Sequence, residues 1–307
     1  MSFALNLRSL AFIAGARLSL VGKAKQFCSI ISGPVSGKKI LFNKHIGLQT
    51  FSGRNERKSL KTLQKLIRHH VVLKEDAVII NAGAGFGLYE LFFAKHLGML
   101  CRVYAFEAGS TAQELLEKNI AYNNIKNTTI IKKAVSEKIG LTSFFENPLH
   151  GSSLIEEEAR SQSRHTEAKS VFTTTLDIFC KRYSLSPSFI RLNVSGSASQ
   201  ALEGARETIE RCNPLILVEP RRAEERAAIA QLLEAEQYGA FSLDGSEWLH
   251  AHEDEPIDEL LNGPLLLCPY RLKEEVNYAL HNRYRRDAGA IQKWVTGSNA
   301  SEDYALN

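Results

Sequence analysis

The chain has 307 residues, 44% of them hydrophobic and 23% charged, enough to bury a large core and too apolar for a disordered chain. No apolar run reaches the roughly 18–20 residues that cross a bilayer. The five cysteines are widely spaced without a Cys-x-x-Cys pair, which argues against a zinc site or disulfide framework and fits a reducing, cytoplasmic setting.

The formal charge of +4 is unevenly distributed. Residues 1–55 carry eight Lys or Arg and no Asp or Glu, so the remainder is net negative and a broad nucleic-acid surface is not expected. The leader, "MSFALNLRSLAFIAGARLSLVGKAKQFCS", has the composition of an organellar transit peptide. It also reads as a basic amphipathic helix that packs on the domain, or touches a membrane surface or partner through residues 1–55. Residues 1–58 are therefore set apart as an N-terminal extension with a helical segment, residues 59–270 as the main domain, and 271–307 as a C-terminal helix with a polar tail.

From residue 59 onward strand, turn and amphipathic helix alternate, the pattern of a mostly parallel, doubly wound α/β sheet. Helical spacing of Leu60, Leu63, Leu66 and Ile67 predicts a helix over 59–71. A buried strand follows over 77–83, a helix over 87–98, a strand over 101–107, a helix over 111–123 and a strand over 128–135. "LTSFFE" (141–146) reads as an extra strand, and 147–170 as a long aperiodic loop of the kind that forms lids or binding loops. Beyond it come a strand over 188–194, a helix over 198–211, a strand over 214–219 and a helix over 221–237. Two closing strands are expected over 239–244 and 263–270.

The chemistry gathers in "IINAGAGFGLYE" (79–90), where Gly83, Gly85 and Gly87 join a buried strand to a helix. Glycines there let backbone approach a ligand, although a tight turn also needs them for packing alone. Glu107, at the end of the next strand, stands where a carboxylate accepts both ribose hydroxyls of a nucleoside cofactor. A dinucleotide or S-adenosylmethionine is compatible with this pair. The alternating glycines do not give the Gly-x-Gly-x-x-Gly spacing of a dinucleotide site.

The chain resembles the FkbM-type methyltransferases over about residues 70–270. The resemblance lies in "INAGAGFGLYE", "VYAFEA", "NIAYNN", "KKAVSEKIG", "HGSSL", "TTTLD", "IRLNVSGSASQALEGA" and "LILVE", in that order. It implies a class I methyltransferase (Rossmann-like) fold ending in an antiparallel strand. It also implies S-adenosylmethionine as cofactor, and O-methylation of a sugar, glycan or small metabolite. Asn81, Gly83, Gly85 and Gly87 would line the methionine end, Glu107 would hold the ribose, and Ala134 and Val135 would flank the adenine. Asn193 and Ser195 would lie near the methyl group, with His150 or Glu219 handling the proton.

The sequence departs from the family pattern at five positions. Asn81 stands where the family usually has Asp, and Gly85 where it has Asn. Its fourth-strand Lys-x-Asp-x-Glu-Gly-x-Glu keeps a basic residue and the glycine as Arg191 and Gly196, and its three acids are here Asn193, Ser195 and Ala198. Neither Asn193 nor Ser195 is a base near neutral pH, and neither offers a divalent metal a hard anionic ligand, so no metal is expected. The alternative reading is a catalytically degenerate relative that serves as a binding or assembly subunit.

Overall fold

The computed structural model describes residues 27–41, 50, 52, 56–71, 76–146, 154–156, 167–235, 237–243, 248–249, 261 and 263–281. The leader 1–26, His150 and the tail beyond 281 lie outside the described residues.

In chain order the elements are β1 (Phe27–Ser29), β2 (Lys39–Leu41), α1 (Arg57–Arg68), β3 (Ala77–Ala82), α2 (Leu88–His96), β4 (Cys101–Phe106), α3 (Ser110–Tyr122), β5 (Thr128–Ile131), β6 (Ala134–Val135), β7 (Gly140–Glu146) and β8 (Glu167–Thr174). They continue with α4 (Leu176–Arg182), β9 (Pro187–Leu192), α5 (Ala198–Glu203), α6 (Arg206–Cys212), β10 (Leu215–Val218), α7 (Ala223–Ala235), β11 (Tyr238–Ser242), β12 (Trp248–Leu249), β13 (Leu265–Pro269) and α8 (Lys273–His281).

Eight strands form one sheet in the order β12-β11-β13-β10-β9-β3-β4-β5. The run β10-β9-β3-β4-β5 is parallel, and β13 lies antiparallel between β10 and β11. The strand order reverses at β3, whose neighbours are β4 on one side and β9 on the other. At such a switch point the connections leave in opposite directions and open a crevice at the carboxyl edge.

Period-two alternation divides the strand side chains between two cores. Ile79, Phe189, Leu215 and Leu217 face one, with Leu63 and Leu66 of α1, Phe92 and Phe93 of α2, and Val276 of α8. Val78, Ile80, Ile190 and Ile216 face the other, with Leu176 of α4, Leu202 of α5, Ile209 of α6 and Ile229 of α7. The β1–β2 hairpin joins the first core through buried Ile30, Val35, Ile40 and Leu41. Its edge is fixed to α3, where Asn119 Oδ1 accepts Leu41 N at 2.7 Å and Asn123 Oδ1 accepts Lys39 N at 3.1 Å.

Three expectations are corrected. The strand expected over 128–135 is two: β5 stays in the main sheet, while β6 joins a separate three-stranded sheet in the order β6-β8-β7. The loop expected over 147–170 ends earlier, because residues 167–170 extend β8 and pair with β7 from Glu146↔Glu167 to Ser143↔Ser170. The helix expected over 198–211 is broken into α5 and α6 at Gly204. A Cβ there would lie 2.1 Å from the Ser136 carbonyl oxygen, so the chain passes too close for any side chain.

Candidate active site

The crossing from β3 to α2 is built by left-handed glycines, with φ of +79° at Gly83, +60° at Gly85 and +95° at Gly87. They do three different things. A Cβ on Gly83 would fall 2.0 Å from the Asn193 carbonyl oxygen, so this glycine lets β3 close against the end of β9. A Cβ on Gly87 would meet Leu116 Cδ1 at 2.8 Å. At Gly85 nothing lies within 4 Å of a Cβ. The loop thus presents open space above its third residue, with half-buried backbone as floor.

Glu107 leaves the end of β4 into that region and is buried. Its Oε2 accepts Gly85 N at 2.7 Å and its Oε1 accepts Gly109 N at 2.8 Å. Each carboxylate oxygen keeps lone-pair capacity for a further donor. Burial raises the pKa of Glu107 above the ordinary carboxylate range, partly offset by these backbone donors. Gly109 also brings up Glu146, the last residue of β7. Its carboxylate accepts Thr111 N at 2.8 Å and the Ser110 hydroxyl at 2.9 Å, and pairs with Lys169 of β8. The small sheet therefore fastens the first turn of α3 beside the Glu107 carboxylate.

Asn81 does not open onto solvent. It is fully buried, its Nδ2 donating to Glu90 Oε1 at 2.6 Å and its Oδ1 accepting Arg191 Nη1 at 3.1 Å. Arg191 lies 3.8 Å from the centre of the Tyr89 ring, donates to the Gly83 carbonyl at 3.2 Å, and pairs with Glu56 at 3.1 Å. Burial opposes the Arg191 charge, but Tyr89 and Glu56 outweigh it and the guanidinium stays cationic. Burial of the Tyr89 hydroxyl drives its pKa upward.

Asn193 and Glu219 meet at the carboxyl ends of β9 and β10. With Glu56, Tyr89, Arg191 and Pro264 they line a crevice of about 10 Å³, room for roughly one water. Glu219 is exposed there. Ser195 lies beyond this crevice in the turn after β9, at φ +40° and followed by Gly196 at φ +82°. Ala134 and Val135 are buried in β6, with Val135 packed in the core that holds Phe106 and Leu176. Ala198, without a carboxylate of its own, has its backbone N–H bound at 2.7 Å by Glu225 Oε1 of α7. Glu225 Oε2 also accepts Arg221 N at 2.7 Å and Arg222 N at 3.1 Å, so one buried carboxylate serves the starts of α5 and α7.

The sequence reading missed Glu90, Glu56, Glu146 and Glu225. One signal was available: Glu90 stands within the otherwise apolar run "LYELFF", where a lone acid on a buried helix needs a polar partner. The other three depend on contacts distant in sequence. Among the described residues no cluster of His, Cys, Asp or Glu is suited to a metal ion.

Residues 81–241 match the methyltransferase FkbM domain, about half of the chain. No curated protein matches it. Among solved structures, the FkbM methyltransferase of Methylobacillus flagellatus is similar at 15% identity and TM-score 0.41, covering 62% of this chain and 43% of that one. The chain thus spans less than half the length of that protein. An rRNA methylase from Streptococcus thermophilus is similar at 14% identity and TM-score 0.38, covering 67% of this chain and 92% of that one. A Streptococcus mutans protein in complex with SAH is similar at 13% identity and TM-score 0.38, covering 67% and 93%. These likenesses are remote, and the assignment rests on the matched domain together with the strand order. The chain belongs to the FkbM methyltransferase domain family and has the class I methyltransferase fold.

Proposed function

We propose that this chain binds S-adenosylmethionine and methylates a hydroxyl group of a sugar, glycan or small metabolite. The observation that carries the proposal is the pairing of Gly85 N with buried Glu107 below an open glycine loop, at the switch point of the sheet. That cradle suits a nucleoside whose ribose hydroxyls donate to the remaining lone pairs of Glu107.

When bound, the cofactor supplies an electrophilic methyl group on a sulfonium. Glu107 and the Gly83–Gly87 loop hold and orient the nucleoside, and the Ala134–Val135 segment flanks its base. The Asn193 amide orients the acceptor hydroxyl by donating to or accepting from it. Glu219, exposed at the same crevice, receives the hydroxyl proton, and His150 is the alternative acceptor. Positioning alone accounts for up to roughly 7–11 kcal/mol in favourable cases. A general base adds about 10²–10⁴-fold, so catalysis survives without a carboxylate at 193 or 195.

A second reading, a binding or assembly subunit without turnover, is favoured by one observation. The Arg191 guanidinium occupies the Asn81 and Gly83 acceptors beside the crevice, a fixed cation bonded to two of the groups that would line the methionine end. Methyl transfer from labelled cofactor to a panel of hydroxylated acceptors separates the two. Transfer that falls about a hundredfold in Glu219→Gln supports the enzyme. Cofactor binding without transfer to any acceptor, unrelieved by Asn193→Asp with Ser195→Glu, supports the binding subunit.

A further inference from the structure

Glu90 sits in the first turn of α2 beneath the glycine loop and is 0% exposed. Its Oε1 accepts the Asn81 amide, whereas its Oε2 is buried with no hydrogen-bond partner. The Asn81 amide can point only one way. Arg191 has no acceptor, so it must meet Oδ1, and Nδ2 is left for Glu90. Oε1 is thereby committed as an acceptor in either protonation state, and any proton on this carboxyl sits on Oε2.

Three hydrogen bonds then link Glu90 to Asn81, Asn81 to Arg191, and Arg191 to the carbonyl of Gly83. The first residue of the loop is held through this chain, and the third through Glu107. A buried carboxylate with an orphan oxygen is costly in a core. Here it sits directly under a loop shaped for close approach, and burial raises its pKa to about 7.

The groups that bear on it are few. Asn81 of β3 and the backbone N–H of Glu90 itself favour its charged form, as does Arg191 of β9, and Glu107 after β4 opposes that charge. Leu116 of α3 contacts the adjoining Gly87 position and offers no polar atom. Glu56 before α1 pairs with Arg191 and accepts the Tyr89 hydroxyl.

We propose that Glu90 is a positioning residue that acts through Asn81 and Arg191 on the placement of Gly83, and that its negative charge strengthens the loop's hold on a sulfonium nucleoside. The proposal rests on the methyl-donor reading. Ionised Glu90 pulls on the Asn81 amide, balances Arg191, and adds negative potential below the loop. By linkage, binding of a cation lowers the proton affinity of Glu90 and ionisation raises the affinity for the cation by the same factor.

The test is calorimetric titration of S-adenosylmethionine into the full chain between pH 5.5 and 8.5, for wild type and Glu90→Gln. Wild-type affinity is expected to rise about tenfold across neutrality, equivalent to roughly one pKa unit of coupling. Glu90→Gln, which keeps the shape and the Asn81 contact, is expected to show no such rise. An unchanged rise in the variant, or a flat wild type that still binds, overturns the proposal alone. A wild type that binds at no pH overturns the methyl-donor reading and this proposal with it. If Glu90→Gln does not fold, infrared difference spectra of the unmutated protein replace it. A buried protonated carboxyl band that titrates near neutrality and weakens on cofactor addition supports the proposal, and a band unmoved by cofactor overturns it.

Discussion

Each glycine of the loop has its own reason to be glycine, and the reasons predict different tolerances. Gly83→Ala drives a Cβ against the Asn193 carbonyl at 2.0 Å, where backbone must move, and should cost on the order of 3 kcal/mol or more. Gly85→Asn restores the residue usual in the family, at a φ of +60° that Asn tolerates and with nothing within 4 Å of its Cβ. It should stay within about 1 kcal/mol of wild type. Denaturant midpoints of the two variants check this, and equal losses would refute the separation of roles. The departures at Asn81 and Ala198 read differently once neighbours are in view. A carboxylate still acts on each position, supplied by Glu90 and by Glu225. Glycine spacing and Glu107 were legible because each ends one of two consecutive, readable strands, β3 and β4. Of the compensating acids, Glu90 left only the trace of a lone acid in an apolar run, and Glu225 left none, because residues 198 and 225 meet only after β10 and α7 have folded back.

Helices with a clear apolar stripe, such as α1 and α3, were predicted nearly to their ends, since local periodicity fixes them. Strand β6 was not, because only Lys132 and Lys133 separate it from β5 and nothing local says that Ala134 and Val135 pair with β8. The break at Gly204 also escaped, since it answers to the Ser136 carbonyl. The elements at the site are tied together by two carboxylates with testable effects. Glu225→Ala leaves the N–H groups of Ala198, Arg221 and Arg222 without their acceptor. Thermal melts should show a loss of roughly 2 kcal/mol, or about 4–8 °C, and an unchanged Tm would remove Glu225 from this role. Glu146 joins β7 to α3. Burial pushes its pKa upward, but Lys169 and the Thr111 and Ser110 donors outweigh this and lower it. A carboxylate with a lowered folded-state pKa stabilises above its unfolded value of about 4.3, and the gain is lost as pH falls through the folded value. Glu146→Gln should therefore be about 1 kcal/mol less stable than wild type at pH 7, converging with it toward pH 3. Parallel curves over that range would contradict the assignment.

At the scale of the whole molecule, the strand order brings four of the proposed functional features to one carboxyl edge. Glycine loop and Glu107 follow β3 and β4, and Asn193 and Glu219 follow β9 and β10. Alternation of helix and strand was enough to read a parallel α/β sheet, and ordered motifs were enough to read the family. Sequence periodicity carried no sign of the β1–β2 hairpin, whose short strands are stabilised by Asn119 and Asn123 of α3. No helix among the described residues is long and apolar enough to cross a membrane.

The central claim is that Glu107 grips a nucleoside over the glycine loop. Titration calorimetry of S-adenosylmethionine with wild type and Glu107→Gln tests it most directly, because the variant keeps the side-chain volume and removes the charge. Saturable one-to-one binding by wild type, weakened about tenfold or more in the variant, is the predicted result. Equal affinity in the two proteins, or no binding by a folded wild type, would contradict it.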